Sequence, residues 1–150
     1  MRSTALCIAS AILLFAAAPA PDTPETLIKS LYAHHQPGKN KNIDWCNRKT
    51  ISKYANARLT DLFIKDCQCA KRTKEFCQLD SDPFYDAQDF DDADPNVRVK
   101  ATDPNTFEVT LNNFGDETLV YTIQQTSKGW RISDIASPTN KSLVKLLSTK

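Results

Sequence analysis

The stretch Asp80-Ser-Asp-Pro-Phe-Tyr-Asp-Ala-Gln-Asp-Phe-Asp-Asp-Ala-Asp94 holds seven aspartates and no basic residue. Carboxylates at this density are suited to hard cations, to paired acid–base work on sugars, or to a basic partner. Calcium asks for six to eight oxygens in a fixed frame. Counting from Asp80 and Asp82 puts Phe84 at the fifth position, and counting from Asp89 and Asp91 puts Ala93 there. Neither frame has the required glycine, so the aspartates are expected to form local turns and caps in a solvated crossing. Asp82, Asp86 and Asp89 are the acids available for a glycosidase-type pair, which is defined by its geometry.

The other reactive types are few. The chain has two histidines, the adjacent His34 and His35, and no Gly-x-Ser-x-Gly elbow to give either a nucleophile. Both are expected to interact with a helix C-terminus. Three glycines in the whole chain leave no glycine-rich phosphate cradle. Trp130 follows the Ser127-Lys128-Gly129 turn and alternates with Ile132. Its expected place is the core, with a ligand-pocket wall as the alternative.

Cysteines and the N-terminus set the compartment. Arg2, the apolar run Ala5–Ala18 interrupted only by Ser10, and the small residues Ala16–Ala20 have the three parts of a secretory signal peptide over 1–20. Cys7 lacks the setting of a lipid-attachment cysteine. Cleavage would remove Arg2 and Cys7, leaving 18 basic against 18 acidic side chains and four cysteines. A neutral exported domain lacks the basic excess that non-specific nucleic-acid binding needs. It also has no segment long enough to span a membrane. In an oxidising compartment Cys46, Cys67, Cys69 and Cys77 read as two disulfides. The pairing Cys46–Cys67 with Cys69–Cys77 competes with Cys46–Cys69 and Cys67–Cys77. A four-thiolate zinc site is disfavoured because Cys67 and Cys69 are separated by a single residue.

These residues need a frame, and the hydrophobic period supplies one over 21–150. Thr23-Pro24-Glu25 starts a helix with Leu27, Ile28, Leu31, Tyr32 and His35 on one face. Gln36–Asn42 is a loop. A second helical stretch, Arg48–Lys74, carries Ile51, Tyr54, Leu59, Leu62, Phe63 and Asp66, with a break near Asn56. Past Pro95 the period becomes two: Val97-Val99-Ala101, Phe107-Val109-Leu111, Leu119-Tyr121-Ile123 and Trp130-Ile132, joined by turn residues. A last helix starting at Ser137–Asn140 would carry Leu143, Val144, Leu146 and Leu147. The expectation is one α+β domain: N-terminal helices on a four-stranded antiparallel sheet, a short C-terminal helix, and disulfide staples.

The motifs Asp82-Pro-Phe-Tyr-Asp-Ala-Gln-Asp89, Gly129-Trp-Arg-Ile-Ser-Asp-Ile135 and Ser142-Leu-Val-Lys-Leu-Leu147 resemble a family of small exported bacterial proteins of unknown function. That family is grouped with the cystatin-like, ketosteroid-isomerase-like α+β roll, a cone of curved sheet around helices. The resemblance implies a periplasmic or cell-envelope address and no reaction. An isomerase of that shape would need an acidic base and a tyrosine or acid donor in an apolar pocket; Asp86, Asp89, Tyr32 and Tyr85 have that chemistry. The favoured expectation is a non-enzymatic binding domain for a small molecule or an envelope protein with a basic cleft, as an inhibitor or immunity protein would be. The rival is a pocket isomerase or hydrolase using an aspartate of 80–94. Candidate binding residues are Asp82, Tyr85, Asp86, Gln88, Asp89, Asp91, Asp92 and Trp130. No catalytic residue, metal ligand or cofactor is assigned.

Overall fold

The computed structural model describes residues 23–149; the expected signal peptide, 1–20, lies outside them. The first helix, α1 (Pro24–His34), is closed at its start by a reciprocal cap in which the Thr23 and Thr26 side chains each accept the other's backbone N–H at 3.1 Å. Proline at the first turn and Glu25 facing the positive helix end complete that terminus. Leu27, Ile28, Leu31 and Tyr32 are buried along one stripe.

The second helical stretch divides as its break suggests. The single turn α2 (Arg48–Ile51) is capped by Asn47, and α3 (Ala57–Thr73) by Asn56, whose side chain accepts Leu59 N–H at 2.8 Å. Between them, residues 54–56 pair with the outer edge of the last strand. Ile132 N–H donates to Tyr54 O at 2.7 Å and Asn56 N–H to Ile132 O at 2.8 Å. That edge is therefore covered rather than open.

Cys46 bonds Cys67, and Cys69 bonds Cys77. Two residues along a helix is a rotation of about 200°, so the two bonds leave α3 on opposite sides. One ties it back to the α1–α2 connection and the other ties it forward to the segment that follows. The competing pairing is not formed.

Strands β1 (Arg98–Asp103), β2 (Thr106–Asn112), β3 (Asp116–Thr126) and β4 (Gly129–Ala136) form an antiparallel meander in the order β1-β2-β3-β4. Phe107, Val109, Leu111, Leu119, Tyr121, Ile123, Ile132 and Ile135 form its buried face. β1 departs from expectation. It is an edge strand, Val99 is only half-buried, and Ala101 is exposed. Trp130 also departs from the expected core position: it is half-buried and packs at the margin of the cluster.

The last helix, α4 (Leu143–Ser148), starts later than the expected Ser137–Asn140. Those residues instead close on themselves, with Ser137 N–H donating to Asn140 O at 2.7 Å and Asn140 N–H to Ser137 Oγ at 3.0 Å. Asp134 on β4 then reaches the real helix start, accepting the Ser142 hydroxyl at 2.6 Å and Val144 N–H at 2.9 Å. Among the described residues, no helix is long and apolar enough to cross a membrane.

Candidate functional site

The acidic segment departs from the expected solvated crossing at residues 82–85. Asp82, Pro83, Phe84 and Tyr85 are buried, and Phe84 joins α1, α3 and the sheet in the core. A short bridge, Asp82 N–H to Ala87 O at 2.9 Å, closes the turn that carries them inward. The apolar bulk of Phe84 and Tyr85 drives the burial, and Asp82 is carried in with them.

A carboxylate taken to 6% exposure needs partners. Asp82 Oδ2 accepts from His35 Nε2 at 2.6 Å, and Oδ1 accepts Phe84 N–H at 2.9 Å. His35 is fully buried and has left the helix: it is the C-cap of α1, in extended conformation. Its Nδ1 accepts Ile43 N–H at 3.0 Å, which leaves the ring proton on Nε2, facing Asp82. The expected dipole role therefore holds for His34, whose Nδ1 lies 2.7 Å from Ser30 O, and fails for His35. With both ring nitrogens occupied, His35 has no lone pair to offer a substrate.

The tyrosines are held in the same way. Tyr121 donates to Tyr32 Oη at 2.8 Å, and Tyr32 donates to Phe84 O at 2.7 Å. Tyr85 donates to His35 O at 3.1 Å. Burial, reinforced by the neighbouring hydroxyls, holds the Tyr32 phenol well above its ordinary range. Burial raises Tyr121 strongly as well. Tyr85 is pushed up to about 12, first by burial and then by the charges of Asp82 and Asp94.

None of the segment's other six aspartates is buried, and Asp86, Asp91 and Asp94 serve the backbone. Asp86, in left-handed conformation at φ 53°, accepts both the backbone N–H and the hydroxyl of Thr139. Asp91 accepts Ala93 N–H at 2.9 Å and Asp94 accepts Asn96 N–H at 2.8 Å, as expected of local turns. Buried Asn113 ties this half to the β2–β3 turn, accepting Asp91 N–H at 2.9 Å and donating to Asp89 O at 3.1 Å. Gln88 donates to Asp80 O at 3.2 Å, and Asp89 and Asp92 expose their side chains. Asp82, Tyr85 and Asp86 thus stabilise the fold, whereas Gln88, Asp89 and Asp92 are exposed and Asp91 is half-buried. Trp130 lies on β4, outside this segment. Among the described residues, no three His, Cys, Asp or Glu side chains are grouped to hold a metal ion.

Beside the inward turn lies a groove of about 630 Å³ between α3, the α1–α2 connection and the acidic segment. Trp45, Leu79 and Phe90 supply apolar wall, and the Cys46–Cys67 bond lies along it. Phe76, in the loop closed by Cys69–Cys77, stands at the rim with 78% of its surface exposed. Asp66, Asp80, Asp82 and Gln88 are its principal polar lining. Trp45, Phe76 and Phe90 were not singled out from the sequence. The available signal was an aromatic next to, or enclosed by, disulfide cysteines, as in Trp45-Cys46 and Phe76-Cys77.

No protein-family model and no curated protein matches the chain. Among solved structures it is similar to a protein of unknown function from Bacteroides thetaiotaomicron VPI-5482, with 15% identity, a TM-score of 0.49, and coverage of 73% of this chain and 85% of that one.

Proposed function

We propose that this chain is an exported, non-enzymatic binding protein whose ligand enters the groove beside α3. The carrying observation is the contrast between the groove and the buried polar centre. Every buried ionisable side chain of that centre is bonded to another part of the fold, while three aromatic residues line or rim an open depression. In a cystatin-like roll, the architecture implied by the resemblance, an isomerase would need a carboxylate free to take a proton inside an apolar pocket. Two carboxylates are buried here: both oxygens of Asp82 are engaged by His35 and Phe84, and Asp66 accepts Gln78 N–H. The disulfides suit an oxidising compartment, in keeping with the signal expected over 1–20.

The test is a native mass spectrum of protein exported into an oxidising compartment, repeated after denaturation without reductant. A bound mass that disappears on denaturation, and is absent from Trp45→Ala and Phe76→Ala variants, supports the groove. The same mass retained by both variants would move the ligand elsewhere.

A second reading has its own observation. Phe114 is 72% exposed and held at φ 57°, a conformation that costs a bulky residue on the order of 1–3 kcal/mol. Its neighbour Asn113 fastens that turn to Asp89 and Asp91. An apolar knob beside exposed carboxylates suits an envelope protein with a basic cleft, the inhibitor or immunity arrangement. Such pairing associates faster at low salt. A partner captured equally well after Asp89, Asp91 and Asp92 are changed to asparagine would exclude that face.

A further inference from the structure

The groove's lining is selective in charge as well as shape. It holds Asp66, Asp80 and Asp82 and not one lysine, arginine or histidine, in a chain whose basic and acidic residues are nearly equal in number. Asp66 is the informative member. It sits in the body of α3 at 7% exposure, and its Oδ1 accepts Gln78 N–H at 2.7 Å. Its Oδ2 has no hydrogen-bond partner among the described residues, although no fully buried side-chain oxygen there is left unsatisfied. That oxygen therefore keeps some exposure, on a nearly buried carboxylate that lines the groove and has one acceptor site unused. Asp80 stands exposed at the margin, and its side chain has no partner among the described residues.

Aromatic faces near carboxylates select for one kind of ligand. A ring attracts a cation through its quadrupole, the attraction grows as water is removed, and tryptophan is the strongest such ring. Neutral apolar ligands gain nothing from an unpaired carboxylate and lose by desolvating it. The groove's volume lies within the range of small-molecule sites. We infer that it binds a small organic cation, an ammonium or guanidinium head on an apolar body, with the head between Asp66, Asp80 and the rings of Trp45, Phe76 and Phe90. The disulfides constrain the backbone next to Trp45 and Phe76 before the ligand arrives, which reduces the ordering cost of binding.

This inference rests on the groove being the binding site, and a charge-matched pair of probes separates the two ideas. Oxidised, isotope-labelled mature protein is titrated with choline and with 3,3-dimethylbutan-1-ol, its neutral isostere, following the indole N–H signals of Trp45 and, as control, Trp130. Choline should shift Trp45 saturably and leave Trp130 unmoved, with the neutral alcohol at least about tenfold weaker. Asp66→Asn keeps an acceptor for Gln78 N–H, and Asp80→Asn lies at the surface, so both should fold. Each should weaken choline by about three- to tenfold, in line with cation–π and charge contributions of about 1 kcal/mol. Equal binding of the two probes would overturn the cation and leave an apolar ligand site in place. No response of Trp45 to either probe would also overturn the cation assignment, and the bound mass in the native spectrum then decides whether the groove keeps its role.

Discussion

The two halves of the acidic segment are alike in composition and opposite in fate. Residues 80–86 hold three aspartates, and residues 89–94 hold four. In the first half Asp82 lies in the core against His35; in the second, Asp89 and Asp92 stand in water. Charge does not separate the halves. Pro83-Phe84-Tyr85 provides enough apolar area to draw the chain inward, and His35, Thr139 and local N–H groups satisfy the carboxylates carried with it. The second half has only Phe90 to bury. Asp91 and Asp94 bond the nearby backbone, and Asp89 and Asp92 face solvent. An acid-rich stretch is therefore better judged by the apolar residues interspersed in it than by its charge.

The largest break in that comparison should come from His35→Ala. It leaves Asp82 buried without its main partner, at a cost of about 3–5 kcal/mol in urea unfolding. Asp92→Asn on the outer half should stay within about 0.5 kcal/mol of wild type. Equal losses at both positions would show that the halves do not differ in energy. Asp82→Asn is a sharper version. Whichever way the amide turns, its NH2 group meets a donor, either His35 Nε2–H or Phe84 N–H, where the carboxylate accepted from both.

Next in size is the hydroxyl chain over the inner half. Tyr32→Phe strands both the Phe84 carbonyl and the Tyr121 hydroxyl, and should cost about 1–3 kcal/mol. Tyr121→Phe removes only a terminal donor and should cost about 1 kcal/mol.

Alkali tests the same centre. All four tyrosines have raised pKa values when folded, chiefly from burial. The unfolded chain loses its phenolic protons first, near pH 10. Stability is therefore intact below about pH 10 and falls as pH climbs towards and past the Tyr85 value of about 12. Phenolate absorbance should rise together with the loss of circular dichroism. Ionisation well ahead of unfolding would mean that the tyrosines are accessible in the folded protein.

A more local effect should come from the anchors of the outer half. A Cβ on Gly38 would meet Asp91 O at 1.9 Å, so the turn at 37–39 and the acidic segment touch backbone to backbone. Gly38→Ala should force the two apart and cost about 1–3 kcal/mol, with amide exchange increasing mainly around residues 89–94. A uniform increase across the sheet would show that this contact supports the whole fold.

Much of this fold was legible before any coordinates. Thr23-Pro24 announced the first helix, Asn56 the break that starts α3, and alternation after Pro95 the strands, because caps and periodicity are local properties. Local rules failed where a residue's role depended on something distant. Ser137–Asn140 looked like a helix start, but Asp134 fastens the helix at Ser142 instead. His35 looked like a helix-end histidine until Asp82, 47 residues on, came within hydrogen-bond reach. The groove was equally hidden, since Trp45, Asp66, Phe76 and Phe90 meet only through the packing of three segments.

By itself the sequence determined an α+β order of elements, two disulfides among four cysteines, and a near balance of charge. These follow from side-chain type and short-range spacing. Tertiary structure alone decided which cysteines paired, which aspartates were buried, and where an aromatic groove opened. Each of those depends on desolvation and contact between residues far apart in the chain, and neither exists until the layers close.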